Sequence, residues 1–370
     1  MLDKYDRSVL NLLYQNGALT RKQLMDKLKM RLNSLVDSCN FLESERYILR
    51  TGTHQVRNVP LMLNPARFAV IGAEHTRDAL ICILLDPTGK SIARNSYPLA
   101  PSLGGAARLN LILEALQDFA NSAGENEICA IGFADIGIVN SAAGDVVYSA
   151  LVPEWENIAI QAVLEEKFHC MVKIIDRSGA ASLEELRRDP GNSLLRNSLQ
   201  LFAGNGIGAS ILQHGKYWGA EVPSSCQLGH TIAVPGGKKC HCGNCGCLET
   251  VAALPAILEA AKCRNFDEFA AEIAAGNPDA QQLLNTAAQA LGIAVANVVT
   301  FTAITHVVIH SCLTSLPGFM ELLTETARSN VIYPFDRQVS FAVSTTGTFA
   351  GANGAAFYAQ KEFFSIKQEV

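Results

Sequence analysis

This chain has no surplus of positive charge: 30 Lys and Arg stand against 35 Asp and Glu, a formal charge of −5 over 370 residues. That balance argues against a protein that coats nucleic acid with its whole surface. A membrane span is also missing. The one long apolar stretch, Leu291 to Leu313, carries His306, His310 and several Thr, and reads as a buried helix running into a strand. The opening residues, Met-Leu-Asp-Lys-Tyr-Asp-Arg, lack the apolar core of an export signal, so a cytoplasmic protein with reduced or metal-bound thiols is expected. Charged residues are 18% against 49% hydrophobic, the balance of a compact globular chain long enough for two or three cores.

The charge that is present is unevenly spread. Residues 1–60 hold ten Lys or Arg against six Asp or Glu, a balance of +4, which leaves −9 for the rest. A basic head on an acidic body suggests a separate polyanion-binding module. Val9, Leu10, Leu12 and Leu13 recur at helical spacing up to Asn16-Gly17, and Thr20 suits the N-cap of a second helix, Arg21 to Leu28. A third helix from Leu32 to Ser44 buries Leu32, Leu35, Val36, Cys39 and Leu42, and Tyr47–Arg50 pairs with Gln55–Val59 as a hairpin. Three helices and a hairpin make a winged helix-turn-helix. Its third helix would present Arg31, Asn33, Ser34 and Ser38 to base edges, with Lys22, Lys27, Lys29 and Arg46 on phosphates. The wing adds Arg50, His54 and Arg57.

The densest chemistry lies between Gln227 and Glu249, where His230, Cys240, His241, Cys242, Cys245 and Cys247 fall among Gly and Pro. Thiolates and imidazoles at such spacing suit a closed tetrahedral zinc site, because only a tight turn brings four donors within about 2.0–2.3 Å of one ion. The residues alone leave the choice open: three or four of the cysteines, plus His230 or His241. The plainer alternative is a cluster of reduced thiols with no metal. Gly-His, nine residues, then Cys-x-Cys-Gly-x-x-Gly-Cys-Leu-Glu resembles the zinc signature of the ROK family of sugar kinases and repressors. The resemblance implies His230, Cys240, Cys242 and Cys247 as ligands of one structural zinc per chain, with Cys245 and His241 at positions that need no ligand.

Strands first and then alternating helix and strand, from residue 64 onward, indicate a mixed α/β body. Its order, with Gly204-Asn-Gly-Ile-Gly208 and the closing Gly-Ala-Asn-Gly-Ala-Ala at 351–356, resembles the two-lobed actin-like (ribonuclease H-like) sugar-kinase fold with a cleft between the lobes. The kinase chemistry does not carry over. The family's catalytic Asn-Asp-Ala-Asn-Ala-Ala falls on Asp176-Arg177-Ser178-Gly179-Ala180-Ala181, and a guanidinium cannot accept a proton. The phosphate loop Asp-x-Gly-Gly-Thr falls on Glu74-His75-Thr76-Arg77-Asp78, where bulky and acidic side chains replace bare backbone. The family's sugar contacts fall on Asp176, Arg177, Gln227, His230 and Glu249, with Gly137 in the loop at 134–140. Arg177 is expected either to favour a ligand bearing phosphate or carboxylate or to fill the cleft through an ion pair with Asp176 or Glu249.

The resulting expectation is a ROK-type transcriptional regulator with no catalytic residues. A winged helix-turn-helix occupies 1–63, a small lobe 64–177 plus about 355–370, and a large zinc-bearing lobe 178–354. Its partners are a double-stranded DNA operator and a sugar or sugar-phosphate effector, acting through a homodimer or higher oligomer. The competing readings are a sugar kinase that uses Asp176 as a displaced base and a scaffold that binds no DNA.

Overall fold

The computed structural model describes residues 2–51, 59–220 and 226–365. They divide into two compact units, Met1–Val139 with Ala143–Ala180 and Phe349–Val370, and Asn140–Ala142 with Ala181–Thr348.

The first unit opens with α1 (Lys4–Asn16), α2 (Arg21–Leu28) and α3 (Leu32–Ser44). Asp3 and Thr20 start α1 and α2 with complete capping boxes, whereas Arg31 starts α3 with no side-chain cap. Val9, Leu10, Leu13, Leu24, Leu35, Cys39 and Leu42 meet in one core. Two expected positions turn out otherwise. Leu32 is 59% exposed, because the core ends short of the first turn of α3, and Ser38 is buried where it donates to the Asp6 carboxylate. Strand β1 (Ile48–Arg50) pairs antiparallel with β2 (Leu61–Leu63), while residues 55–58 of the expected hairpin partner Gln55–Val59 lie outside the described residues. Leu61 and Leu63 supply alternate buried side chains there, and Leu61 also bridges Leu19.

The body of this unit is a five-stranded sheet. Its elements are β3 (Phe68–His75), β4 (Ala79–Leu85), β5 (Ser91–Pro98), α4 (Gly105–Ala120), β6 (Glu127–Asp135), short strands β7 (Ile138–Asn140), β8 (Asp145–Tyr148) and β9 (Glu156–Ile158), α5 (Ile160–Phe168), β10 (Met171–Asp176) and the first turn of α6 (Arg177–Arg188), whose remainder belongs to the second unit. Strand order is β10-β6-β3-β4-β5, with β10, β6 and β3 parallel and β4 and β5 antiparallel. The three parallel strands therefore deliver their C-terminal residues, Glu74–His75, Asp135 and Asp176, to one edge. Open α/β sheets bind ligands at such an edge.

In the second unit β11 (Ser198–Ala203), β12 (Ile207–Gln213) and β13 (Lys216–Tyr217) precede α7 (Glu249–Ala252), α8 (Leu254–Ala261), α9 (Phe266–Ala274), α10 (Pro278–Thr302), β14 (His306–His310), α11 (Phe319–Asn330) and β15 (Ser340–Val343). The order β13-β12-β11-β14-β15 repeats the first sheet's plan, β11, β14 and β15 being parallel. Among the described residues α10 is the one helix long and apolar enough to cross a bilayer. Leu284, Leu291, Val295 and Val299 on it are buried in the unit's own core.

The chain then returns to the first unit as α12 (Ala350–Phe364). Its Ala-rich face lies against β3 and β6 so closely that a Cβ on Gly72 would sit 1.9 Å from Ala352 O, and one on Gly132 1.9 Å from Ala355 O. The closing glycine–alanine motif is thus a helix-on-sheet contact. At its far end Phe364 stacks on Tyr14 of α1, ring centroids 4.8 Å apart, and Phe363 meets Phe68 edge-on. One helix packs on both the head and the sheet.

Candidate functional site

The cysteine stretch folds as a set of tight turns. Cys240 N–H donates to Asn244 O and Gly243 N–H to Cys240 O, closing a knuckle around Cys242. Gly246, at φ 79°, presses on Val234 O where a Cβ would lie 1.7 Å away. The turns gather His230, Cys240, Cys242 and Cys247, whose ligand atoms lie within 4.8 Å of one another. Cys242 Sγ and Cys247 Sγ are 3.6 Å apart and Cys240 Sγ is 3.7 Å from His230 Nδ1. Two sulfurs held about 2.3 Å from one tetrahedral ion would be separated by roughly 3.7 Å, so this cluster could hold a metal ion. An overlapping group, His230, Cys240, His241 and Glu249, also converges. There His241 Nε2 lies 3.3 Å from Glu249 Oε1, which gives that imidazole a carboxylate partner.

Glu249 has a second role. Its Oε2 accepts the Ile207 amide at 2.9 Å, and a Cβ on Gly206 would come 3.0 Å from the same oxygen. The glycine loop at 204–208 therefore spends an amide on a carboxylate of its own unit. Gln227 is exposed at the start of this region.

At the parallel edge of the first sheet, Arg177 begins α6 and reaches back to Glu74, its Nε donating to Oε1 at 2.5 Å. Glu74 is buried and its Oε2 has no hydrogen-bond partner, while the Arg177 side chain is 55% exposed. The ion pair expected with Asp176 or Glu249 is made with Glu74 instead, since β3 and β10 flank β6 and end at the same edge of the sheet. Asp176 Oδ1 accepts the Gly179 amide at 2.8 Å, the geometry of an N-cap for α6. Gly137 N–H donates to Asp135 Oδ1 at 2.7 Å in the following loop. The six expected ligand residues are thus divided, Gly137, Asp176 and Arg177 in the first unit and Gln227, His230 and Glu249 in the second.

One cluster here was missed by sequence reasoning. Arg108 on α4 is wholly buried and donates five hydrogen bonds of 2.7–3.1 Å, to His75 Nε2 and to the carbonyls of Ala100, Leu103, Thr76 and Arg77. Guanidinium N–H only donates, so His75 accepts at Nε2 and gives its Nδ1–H to Asp135 Oδ2 at 2.8 Å. Trp155 Nε1 donates to the same oxygen. Burial depresses the Arg108 pKa from the usual range, and the Asp135 charge opposes that fall. The carbonyls of Thr76 and Arg77 are drawn to the guanidinium, in the turn where a phosphate loop would offer amides. A readable signal existed: Arg108 shares helical phase with Ile112, Ala115, Leu116 and Phe119, all buried.

On the head, Lys22, Lys29, Arg31 and Asn33 are exposed and Ser34 is half-buried. Ser38 is withdrawn into the α1–α3 contact and cannot reach a base edge. Arg50 is exposed but paired with Glu43 at 2.9 Å. His54 and Arg57 lie outside the described residues.

A further titratable group lies in the second unit. His310 ends β14, stacks on Phe202 at 4.1 Å and hydrogen-bonds Gln200 Oε1 through Nε2 at 2.9 Å. Burial pushes its pKa down to about 3. As pH falls from about 6.5 toward 3, the unfolded chain takes up a proton that the native chain refuses, so stability is lost over that window. Glu185, raised chiefly by burial, acts with the opposite sign. His310→Gln should therefore flatten the acid limb, removing about 2 kcal/mol of the loss between pH 7 and pH 5. Urea unfolding at the two pH values checks this, and parallel profiles for variant and wild type would refute it.

Residues 70–362 match the family model described as the ROK family. The chain is similar to the N-acetylglucosamine repressor of Escherichia coli O6:H1, 27% identical over 259 residues, 68% of this chain and 62% of that protein's length. Its fold is similar to that of a ROK family transcriptional regulator, a homolog of the E. coli MLC protein, with a TM-score of 0.82 at 21% identity over 98% of this chain and 97% of the other. A ROK hexokinase from Thermus thermophilus aligns with a TM-score of 0.67 at 26% identity, over 80% of this chain and 99% of the enzyme.

Proposed function

The chain belongs to the ROK family through residues 70–362, and from that premise we propose that it is a DNA-binding transcriptional regulator of carbohydrate metabolism whose kinase-like body senses a sugar or sugar derivative. One observation carries the reading: the family body is joined to a basic three-helix head whose α3 leaves Arg31 and Asn33 open at its first turn. In this reading residues 1–63 act as a winged helix-turn-helix. Arg31, Asn33 and Ser34 face base edges, and Lys22, Lys29 and Arg50 face phosphates.

The body senses and does not transfer phosphate. Arg177 at the base position has its charge met by Glu74, Asp176 caps a helix, and the 76–78 turn gives its carbonyls to Arg108. His230, Cys240, Cys242 and Cys247 hold a structural zinc ion, since four protein donors leave no open coordination place. The effector is a sugar or sugar phosphate, and residues 64–177 plus about 355–370 and residues 178–354 serve as the two lobes. Helix α12 supports linkage between ligand and DNA. Gly351 in its first turn abuts Glu74, where a Cβ would come 2.4 Å from the carboxyl carbon, and Phe364 in its last turn stacks on Tyr14. A ligand that prefers one conformation of the body shifts operator affinity, and the operator shifts ligand affinity equally. A cytoplasmic homodimer would present two heads to half-sites about one helical turn, roughly 34 Å, apart.

The test is equilibrium binding of the full chain to a duplex selected from random sequence. Affinity should fall steeply from 50 to 200 mM salt, and Lys29→Ala should make the log–log slope shallower by about one. Binding that is negligible even at 50 mM salt would favour a scaffold without DNA affinity.

A further inference from the structure

Consecutive positions at the start of α3 break the rules that the other head helices obey. Helices α1 and α2 each begin with a reciprocal capping box, but α3 begins at Arg31 with no side-chain hydrogen bond to its first turn. The next residue, Leu32, is 59% exposed although it follows the stripe of Leu35, Cys39 and Leu42, which are fully buried. A missing cap weakens the helix locally, and a leucine at core spacing that stays uncovered forgoes the burial open to it; sequences keep such breaches where another demand overrides stability. What surrounds Leu32 indicates the demand. Arg31 and Asn33 on either side are exposed and can hydrogen-bond guanine and adenine edges in the major groove. The one apolar group on the major-groove face of a base pair is the thymine 5-methyl.

We infer that Leu32 is a specificity-determining residue, packing its isobutyl group on a thymine 5-methyl in the major groove between the bases read by Arg31 and Asn33. The inference rests on the DNA-binding reading above and adds to it a contact class and a base. An apolar contact releases no counterions, so it sets sequence preference without altering salt dependence.

The experiment uses the full chain and a duplex selected from a random pool, in which each thymine is replaced singly by deoxyuridine. The change removes only a methyl group. Wild type should lose about fourfold in affinity at one thymine per half-site and little elsewhere, the value of one buried methyl. Leu32→Ala should bind the parent duplex on the order of tenfold more weakly, with an unchanged salt slope, and should not respond to deoxyuridine at that thymine. Leu32→Met, which keeps the apolar reach, should restore most of the affinity. If Leu32→Ala binds as wild type does, or keeps its response at every thymine, the inference falls while the regulator reading stands. If wild type selects no DNA at all, both fall together. Thermal unfolding of Leu32→Ala near the wild-type midpoint excludes a folding defect, since the side chain lies outside the core.

Discussion

Arg108→Met is expected to lower the free energy of unfolding by about 3–5 kcal/mol, although residue 108 touches none of the expected ligand residues. The loss has two parts. Asp135 stays buried, with His75 and Trp155 still hydrogen-bonded to it but no guanidinium to balance its charge. The carbonyls of Leu103, Thr76 and Arg77 lose the guanidinium donor in the same step, and that of Ala100 keeps only the Leu103 amide. Arg108→Lys keeps the charge but not the planar fork, and should recover less than half of the loss. Chemical unfolding followed by the fluorescence of Trp155 in a Trp218→Phe background reads the first unit directly, because that indole is buried against His75 with ring centroids 4.8 Å apart. A loss below about 1 kcal/mol would mean that water takes the place of the guanidinium.

Cys247→Ser should reduce bound zinc from one ion per chain to a small fraction and destabilise the second unit by several kcal/mol. Cys247 is wholly buried, and its sulfur lies 3.6 Å from Cys242 Sγ and from His230 O. Losing the metal would release the turns that hold Glu249 on the Ile207 amide. Cys245→Ser serves as the control, because Cys245 is exposed and stands outside both converging groups. Elemental analysis and thermal unfolding of both variants decide the matter. Equal zinc in Cys247→Ser and Cys245→Ser would contradict the ligand assignment, and a wild type well below one zinc per chain would contradict the site itself.

How much of this was legible in the sequence depended on how local the cause was. The bounds of α2 and α3 follow from apolar spacing, and that of α2 from a Thr20–Gln23 box written within four residues. The cysteine stretch was readable for the same reason, its donors spanning a short segment. Errors arose where a second element decides. Ser38 lies in the buried arc between Leu35 and Cys39, yet its polarity suggested solvent; only Asp6 on α1 makes that burial tolerable. Leu32 has the spacing of a core residue, but nothing in the period says where the core ends. The pairing of β1 with β2 was not read because it depends on Leu61 and Leu63 filling a core built from three helices. Arg177 was legible as a guanidinium where the resemblance implies a base, whereas its partner Glu74 stands 103 residues away. That pairing follows from the order β10-β6-β3, which a lone sequence does not display.

The central claim is that a ligand of the kinase-like body governs what the head does on DNA. The most direct measurement is selection of bound fragments from random DNA by the full chain at 50 mM salt, repeated with a panel of sugars and sugar phosphates. The predicted result is one enriched motif with two related half-sites, whose recovery changes several-fold with at least one ligand while no ATP is consumed. A pool that stays random, or turnover of ATP with a sugar that disappears in Asp176→Asn, would contradict it.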